Sequence, residues 1–399
     1  MKKKALLTAS LGLAFLAAPN LSATNGDKLI GVGPYSRSMG GVGIATPCCA
    51  ITAAFANPAT LSTIAGTQFD FGASLFMPSP RARVKSPAPP AGVGNWTGNS
   101  QDAPFPVPAI VIRTPIDKNW SFGLAAVGVA GMGVDYRGKD PMNTNTNLSV
   151  MQFSPAVAYK MGNLSLGLGL NMDFNSADFG AGEAHNYAFG AHLGLLYKFG
   201  DFAFGATYRT PQTVNHERVY DFNGDGRYDN LKLANPQEFG FGISWTPTPK
   251  FLVETDVKWL DWYGAKGYHD FDWKSQWVFA IGMEYRVTPQ IRLRCGYNYG
   301  RNPVHDHDGW NPSTGTKKVA GNTMGQFGYE YFRIVGFPGI VEHHLTFGVG
   351  YDVSEDVTFN FAVVRGFQNK IKEKSAGGAI ELVSTLDETS LDFGITWKF

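Results

Sequence analysis

Residues 238–259, EFGFGISWTPTPKFLVETDVKW, form two alternating runs on either side of a proline-containing turn. In the first half of this stretch the large apolar residues Phe239, Phe241, Ile243 and Trp245 stand at every second position, with small or polar residues between them. A helix would bring apolar residues together at spacings of three and four, whereas a period of two is that of a β-strand. The stretch therefore predicts a strand, a tight turn and a second strand.

The same alternation recurs about fourteen times along the chain, for example at residues 69–77, 164–173 and 391–399. Most of these runs are about ten residues long, which is near the length of a tilted strand that crosses a membrane. A soluble sandwich would have to bury every aromatic stripe in one narrow core. Tyrosine and tryptophan near the strand ends are typical of an interfacial girdle; these residues are Tyr159, Tyr197, Tyr208, Trp245, Trp259, Tyr285 and Trp397.

The connections between the runs alternate between short and long. Six tight links rich in Pro, Gly, Asn or Asp lie at residues 114–118, 161–163, 199–201, 246–250, 287–290 and 352–356. Longer polar segments alternate with them, at 78–104, 132–147, 175–186, 211–235, 260–275, 300–340 and 368–387. This rhythm is typical of outer-membrane barrels with periplasmic turns and external loops. The sequence therefore predicts an all-β protein, a transmembrane antiparallel β-barrel of about 14 strands, over residues 67–399.

The N-terminus has the features of an export signal. Residues 1–23 combine three lysines, an apolar run from Ala5 to Ala18 and a small-residue exit, as in a secretory signal peptide. Without Lys2, Lys3 and Lys4 the chain has 31 basic residues (34 minus 3) against 33 acidic ones, a net charge of about −2. Near-neutrality argues against a nucleic-acid partner. Three cysteines do not make a disulfide framework.

Residues 33–63, between the signal and the first alternating run, contain Arg37 as their single charged residue and are rich in Gly, Ala, Ser and Thr. Such a composition suits a compact segment buried against other backbone. We therefore expect residues 24–66 to form a plug, or hatch, inside the lumen of the barrel.

Two runs in this segment, RSMGGVGIA (37–45) and NPA (57–59), resemble the N-terminal plug of the FadL/TodX family of outer-membrane channels for hydrophobic molecules. Further similar runs are PFPVPAIVI (104–112), residues 235–262 and IRLRCGYNYGRNPV (291–304). The hatch residues that carry the resemblance are Arg37, Gly40, Gly41, Asn57, Pro58 and Ala59. Cys48, Cys49 and Thr60 depart from the family's usual residues, which puts the details of the hatch in question.

The resemblance implies a monomeric channel in the outer membrane of a Gram-negative bacterium, surrounded by outer-membrane lipid and lipopolysaccharide. It implies passive uptake of long-chain fatty acids or other hydrophobic compounds, among them aromatic hydrocarbons, without a cofactor or enzymatic activity. Capture by external loops, an internal apolar pocket and a lateral exit at a kinked third strand belong to the same implication. The alternative is a non-specific porin or an adhesin-type barrel with no hydrophobic pathway.

The third alternating run, NWSFGLAAVGVAGMG (119–133), loses its alternation halfway and gathers glycines at 128, 131 and 133. Glycine within a strand often marks a bulge or a bend, and proline cannot donate to a ladder. The hypothesis is that this strand bends inward and opens a gap in the wall, with Gly128, Gly131, Gly133, Pro108 and Pro155 around it. Ordinary barrel curvature is the alternative.

Two sets of residues are candidates for ligand contact. The sixth long loop holds a run of apolar residues that could capture cargo at the surface, or could fold down and pack on the loop itself or on the plug. Those we assign are Phe327, Tyr331, Phe332 and Phe337. By strand parity Arg209, Lys258 and Arg294 point inward, where they could hold a carboxylate or pair with lumen acids such as Glu254, Asp256 and Glu284.

The sequence gives weaker evidence for a metal site, a disulfide or a catalytic site. Residues 221–229, DFNGDGRYD, imitate the start of an EF-hand loop but place Lys232 where a bidentate Glu belongs, so a polar turn is favoured over a calcium site. We assign no metal to residues 305–308 (HDHD). Cys48 and Cys49 could form a disulfide or stay reduced. No nucleophile motif accompanies His343 and His344, which argues against a hydrolase.

Overall fold

The computed structural model describes residues 24–46, 49–89, 92–101 and 104–399, so the predicted signal peptide lies outside it. Its strands, in chain order, are β1 (Thr24–Asn25), β2 (Lys28–Leu29), β3 (Gln68–Pro78), β4 (Arg81–Lys85), β5 (Trp96–Asn99), β6 (Phe105–Pro115), β7 (Trp120–Asp135), β8 (Asn145–Met161), β9 (Leu164–Asp178), β10 (Ala184–Phe199), β11 (Phe202–Arg209), β12 (Gln212–Tyr220), β13 (Asp229–Asn235), β14 (Glu238–Thr248), β15 (Phe251–Leu260), β16 (Gln276–Arg286), β17 (Ile291–Gly300), β18 (Thr316–Val319), β19 (Asn322–Gly325), β20 (His343–Asp352), β21 (Val357–Lys374) and β22 (Glu381–Lys398). The helices are α1 (Pro34–Ser38), α2 (Ala50–Ala56), α3 (Gln326–Tyr331), the 3₁₀ turns Pro58–Thr63 and Ala376–Gly378, and the π turn Phe332–Gly336.

Fourteen of the described strands form one closed antiparallel barrel. Its members are β3, β6, β7, β8, β9, β10, β11, β14, β15, β16, β17, β20, β21 and β22. The last strand returns to the first, pairing from Glu388 with Pro78 to Lys398 with Gln68. Closure removes the free sheet edges that hydrocarbon could not satisfy. The predicted all-β barrel of 14 strands is confirmed.

The two faces of each strand meet different surroundings. On β14 the odd-numbered residues point outward, and the Phe241 side chain is 62% exposed on the outer surface. On β15 the even-numbered residues point inward, and Glu254 and Asp256 are fully buried in the lumen. A large apolar surface around a polar, packed interior is what a membrane barrel requires.

The six tight links all lie at one end of the barrel, between β6 and β7, β8 and β9, β10 and β11, β14 and β15, β16 and β17, and β20 and β21. At the other end several strands are longer than the ten residues that the alternation predicts: β8, β9, β10, β21 and β22 have 15 to 18 residues. The segments 175–186 and 368–387, expected as loops, are therefore largely strand. Beyond the membrane a strand needs no apolar outward face, so the alternation ends before the strand does.

The outer loops carry their own secondary structure, the hairpins β4–β5, β12–β13 and β18–β19 and the helix α3. Beneath them lies a packed group of aromatic side chains, the loop aromatic cluster, made of Phe179, Tyr220, Phe222, Trp262, Tyr268, Phe271, Trp273, Phe332 and Phe337. This cluster closes the outer end of the lumen. No helix in the described ranges is both long and apolar enough to cross a membrane.

The lipid face can be tested at Phe241. Phe241→Lys would place a charge on the outward face near the middle of β14, which costs about 2–4 kcal/mol at the bilayer midplane. We expect the free energy of unfolding in phospholipid vesicles, measured by denaturant titration, to fall by that amount. Tyr228→Lys, at an exposed loop position, is the control and should leave stability unchanged. Equal stability of the two variants would contradict the assignment of the outer face.

Candidate ligand site at a gap in the barrel wall

The N-terminal segment, residues 24–66, packs against inward-facing side chains of the wall, and most of its described residues are buried. Arg37 of α1 forms a fully buried ion pair with Asp392 of β22, with 2.7 Å between Nε and Oδ1. Gly40 and Gly41 follow with φ of 72° and 84°, a conformation open to glycine, and a Cβ at Gly40 would lie 2.7 Å from the Tyr297 carbonyl oxygen. The predicted hatch residues Arg37, Gly40 and Gly41 therefore bring this backbone directly against the wall.

Two carboxylates of β15 hold the next part of the segment. Asp256 accepts hydrogen bonds from the backbone N–H groups of Gly43 (2.9 Å) and Ile44 (3.2 Å). Glu254 accepts from the N–H groups of Ala45 (2.6 Å) and Thr46 (3.1 Å). Four successive amides that no helix or sheet satisfies are thereby paired with carboxyl oxygens of the wall. Strand parity predicts that these acids face the lumen as possible partners of its basic residues, and the structure shows that they also bind backbone amides.

Asn57, Pro58 and Ala59 contact β9 and β10 at two glycines. The Asn57 amide donates to the carbonyl oxygens of Ile44 (2.7 Å) and Leu195 (2.9 Å), and its oxygen accepts from the Ala59 N–H (3.0 Å). Any Cβ at Gly167 or Gly194 would collide with this turn. Small wall residues therefore allow the backbone of the turn to touch the backbone of the barrel.

The three basic residues predicted to contact ligand all bind parts of the protein. Arg209 donates to the Phe55 carbonyl oxygen at 2.8 Å, and Lys258 Nζ donates to the Gly41 carbonyl oxygen at 3.2 Å. Arg294 pairs with Glu284 at 2.6 Å, and its guanidinium lies 4.3 Å from the centre of the Tyr35 ring. In this conformation these residues fasten the N-terminal segment.

The wall opens between β6 and β7. These two strands pair from Pro115 with Ser121 only as far as Ala109 with Val127, although β6 remains paired with β3 to Phe105. On its other side β7 stays paired with β8 to Asp135, across a bulge between Gly128 and Ala130. The outer half of β7 therefore leaves β6 and follows β8, because the bulge redirects it. Pro106 and Pro108 lie on the freed edge of β6 and have no N–H to leave unpaired.

The N-terminal hairpin β1–β2 meets β7 on the inside of this gap. Lys28 pairs with Ala130 in the ladder, and the Gly131 N–H donates to the Asp27 carbonyl oxygen at 2.9 Å. The hairpin therefore pairs with part of the β7 edge that β6 no longer covers.

The gap contains a cavity of about 360 Å³, here called the lateral cavity. Its lining is mostly apolar and includes Leu29, Phe76, Phe105, Val107, Met132, Leu148, Met151 and Leu386. Glu388 is the charged residue among the lining residues described, and the Thr24 hydroxyl lies 2.8 Å from its carboxylate. A concave apolar site with few polar groups is typical of a site for a small hydrophobic ligand.

Of the residues predicted for a lateral opening, Gly128, Gly131, Gly133 and Pro108 line this cavity. Pro155 does not; it lies on β8 opposite Leu124, where the ladder to β9 is interrupted between Phe153 and Ala156. Sequence reasoning missed Val107, Met132, Met151 and Glu388. The closely spaced prolines around residues 104–108 were the one signal of a strand that ends its pairing early.

The predicted loop residues occupy the interior side of the sixth long loop. Tyr331, Phe332 and Phe337 are buried, and Phe327 is half-buried. The Tyr331 hydroxyl donates to Asp140 at 2.6 Å and accepts from Trp96 Nε1 at 3.0 Å. Of the two alternatives for this loop, surface exposure or folding down, the structure shows the second.

An ion-pair network fastens the same loop. Arg333 is fully buried and pairs with Glu330 and, at 2.9 Å, with Glu373 of β21. His307 lies beside them, 3.1 Å from Glu330 and 2.7 Å from Asp272. Asp272, His305 and His307 also bring potential metal-ligating atoms within 4.8 Å of one another. At Glu330 and Glu373 the Arg333 guanidinium already supplies the positive charge that balances these acids.

The remaining clusters have local partners. The Asp221 carboxylate accepts hydrogen bonds from the N–H groups of Gly224 (2.7 Å) and Gly226 (2.8 Å), as in a polar turn. Cys48 lies outside the described residues, so the disulfide question stays open. Cys49 is buried, with its Sγ 3.2 Å from the Thr52 hydroxyl.

The role of the β15 carboxylates can be tested with Asp256→Ala, which leaves the N–H groups of Gly43 and Ile44 without an acceptor. A hydrogen bond to a charged group contributes about 1.5–3 kcal/mol. Hydrogen–deuterium exchange across residues 40–46 should therefore accelerate by about tenfold or more while the barrel stays folded. Asp201→Ala, at an exposed turn, is the control, and unchanged exchange in Asp256→Ala would refute the role.

The loop network predicts a pH dependence. Burial and the charge of Arg333 lower the pKa of His307. The hydrogen bonds of His307 to Glu330 and Asp272 and the charge of Glu330 outweigh them, so the pKa of His307 lies above 6.5. Burial likewise opposes ionisation of Asp272, yet hydrogen bonds from Lys274 and His307 lower its pKa to about 2, so it stays ionised at neutral pH. The His307 contribution is therefore complete below about pH 6.5 and is lost as pH rises through the folded-state value.

We expect hydrogen exchange in residues 326–337, corrected for intrinsic rates, to be faster at pH 8.5 than at pH 6. His307→Gln removes the titrating group and should remove that part of the difference, whatever the neighbouring Glu330, Glu373 and Arg333 contribute. A pH response that survives unchanged in His307→Gln would assign it to another group.

Comparisons with known proteins agree with this architecture. The family model described as outer membrane protein transport protein (OMPP1/FadL/TodX) matches residues 33–184 and 175–309. The crystal structure of a Pseudomonas aeruginosa FadL homologue is similar at a TM-score of 0.72 and 14% identity, over 94% of this chain and 100% of that one.

Two toluene transporters are also similar. TodX of Pseudomonas putida has a TM-score of 0.67 at 18% identity, over 92% of this chain and 99% of that one. TbuX of Ralstonia pickettii has a TM-score of 0.62 at 16% identity, over 92% and 98%. A search of curated protein sequences finds no match. The family consists of outer-membrane channels for hydrophobic compounds and not of enzymes, and since its model matches more than half of the sequence, the chain belongs to the OMPP1/FadL/TodX family of outer-membrane transport proteins.

Proposed function

We propose that this protein is a channel for passive uptake of small hydrophobic compounds, and that the lateral cavity is where cargo leaves the barrel for the membrane. The observation that carries the proposal is the position of the cavity. It lies where β6 and β7 stop pairing, and its lining is apolar. A hydrophobic molecule leaving there would pass into hydrocarbon without crossing water.

The route from outside begins at the loop aromatic cluster. Gly339 lines the lateral cavity, and a Cβ there would lie 2.6 Å from Met132 and 2.8 Å from Trp273, so the cluster and the cavity share a wall. Cargo captured among the outer loops would need these side chains to part by a short distance. We propose that the residues predicted to capture cargo, Phe327, Tyr331, Phe332 and Phe337, act from this interior position.

The N-terminal segment acts as a plug in this proposal, with the predicted bounds 24–66. Its backbone is fastened to the wall by Arg37, Glu254 and Asp256, which leaves the bore filled. A filled bore would favour hydrophobic transport over the porin alternative, since a porin needs an open aqueous path. Liposome swelling with small sugars separates the two functions, because a plugged channel should not admit the sugars. The proposed unit is a single barrel.

The lining of the lateral cavity favours uncharged cargo. Glu388 is the acidic residue of the described lining, which includes no lysine, arginine or histidine. A fatty-acid carboxylate entering the cavity would be removed from water without a cation in the described lining to pair with, which is unfavourable. We therefore propose neutral hydrocarbons as the cargo class, in line with the toluene named for the similar TodX and TbuX. Fatty acids are the second candidate, supported by the basic lumen residues Arg209, Lys258 and Arg294, which would first have to release the N-terminal segment.

Closing the gap tests the exit. A side chain at position 128 would point at Val107 across the gap, so Gly128→Val should narrow the opening. We expect toluene uptake by cells that express the variant to fall several-fold, with barrel content in the outer membrane unchanged. Oleate uptake measured in parallel should be low for wild type and variant alike if the cargo is neutral.

Ala206→Val on β11 is the control, because it introduces the same valine side chain on the outer face away from the gap. Wild-type toluene uptake in Gly128→Val would contradict the exit at β7. Faster uptake of oleate than of toluene would instead contradict the neutral cargo class and leave the exit in place.

A further inference from the structure

Six basic side chains form a regular array on the outer end of the barrel. Beyond a bulge between Gly366 and Asn369, β21 turns Lys370, Lys372 and Lys374 to the exposed face. Across β22, the short strand β4 turns Arg81, Arg83 and Lys85 to the same face. We call these six residues the basic array.

The register of the three strands sets the shape of the array. Lys374, Glu381 and Lys85 form one cross-strand row; Lys372, Val383 and Arg83 form the next; Lys370, Thr385 and Arg81 form the third. Rows lie about 7 Å apart along the strands, and β21 and β4 lie about 10 Å apart on either side of β22. The array therefore covers an area of about 14 Å by 10 Å.

Among the residues that the structure describes, one acid lies within this area. Glu381 binds Arg83 and Lys372, each at 2.9 Å, and lies 3.9 Å from Lys374. Six basic residues against one acidic residue leave five positive charges unbalanced inside the array. The nearest other pair, Arg365 with Asp387 at 3.1 Å, is neutral as a unit. Asp308 borders the array at the Lys374 backbone N–H.

Such an arrangement costs stability by itself. Like charges about 7 Å apart repel within the roughly 8 Å Debye length of physiological salt. A surface meant only for solubility would intersperse the two signs. The side chains of Lys374 and Arg83 remain 50% and 44% exposed, so an anion from outside can reach them.

The place of the array on the barrel identifies its occupant. The same outward face of β22 continues downward from Thr385 to Leu391 and Phe393, which are exposed and belong to the apolar outer surface. Thr385 lies about 20 Å along the strand from Leu391. An anion held there is within reach of a molecule whose acyl chains lie in the outer leaflet beside β3, β21 and β22.

We propose that the basic array binds the phosphorylated sugar headgroup of an outer-leaflet glycolipid. Phosphate groups match unpaired lysine and arginine side chains. The exposed Thr97 and Asn99 of β5, opposite Arg83 and Arg81, add hydrogen-bonding groups for sugar hydroxyls. This inference concerns the outer surface and stands independently of what the channel transports.

The test is binding of bisphosphorylated lipid A to the purified full-length protein in non-ionic detergent, measured by native mass spectrometry. The triple variant Lys370→Gln, Lys372→Gln, Lys374→Gln should bind at least about tenfold more weakly, since each basic residue near an anionic surface contributes several-fold. A second variant, Arg81→Gln with Arg83→Gln, changes a different strand and should show the same direction. Folding of each variant is checked by the migration of the unheated barrel in gels.

The matched control is Lys118→Gln, Lys160→Gln, Lys250→Gln, which removes three exposed charges at the opposite end of the barrel. It should bind lipid A as wild type does. Dephosphorylated lipid A should bind weakly to every form, and millimolar inorganic phosphate should not displace the bound lipid, which separates a headgroup site from a free-phosphate site. Equal loss in the control, wild-type binding in both array variants, or equal binding of dephosphorylated lipid A would overturn the proposal.

Discussion

The structure depends on one constraint, that no backbone N–H or C=O can be left unpaired against hydrocarbon. The ladder between β22 and β3 meets it for the wall as a whole, because it joins the last strand to the first over eleven residue pairs. The gap beside β7 is the place where the ladder fails. There the cost is reduced by prolines that carry no N–H and by the N-terminal hairpin, which pairs with β7 at Ala130.

Ion pairs join the N-terminal segment to the wall of the lumen. Arg37 and Lys28 of the segment pair with Asp392 of β22 and Glu238 of β14. Glu254 and Asp256 of the wall accept hydrogen bonds from backbone N–H groups of the same segment. Removing one partner of a buried pair is strongly destabilising, because the other charge is left alone. Apolar packing adds to these polar contacts, because Ile51 and Leu61 of the segment lie in one buried cluster with wall residues such as Val127.

The two ends of the barrel differ in the length of their connections and in the character of their outward face. At the end with the tight turns the chain reverses within a few residues. At the other end the strands run on past the membrane, loops fold inward over the loop aromatic cluster, and the outward face changes from apolar to basic. On β21 the bulge causes that change, since one extra residue moves the even-numbered lysines outward and Glu373 inward to Arg333.

The barrel, its strand number, the six tight turns and the unusual third strand could be predicted from the sequence. The reason is that an apolar side chain at every second position and the residues that favour turns are both local features of the chain. The sequence also placed Arg209, Lys258 and Arg294 in the lumen by parity. Only the tertiary structure decided what those side chains touch, that Tyr331, Phe332 and Phe337 face inward, and that Val107, Met132 and Glu388 meet at one cavity. These facts depend on contacts between residues far apart in the chain, and strand extensions beyond the membrane escape prediction since no apolar face marks them.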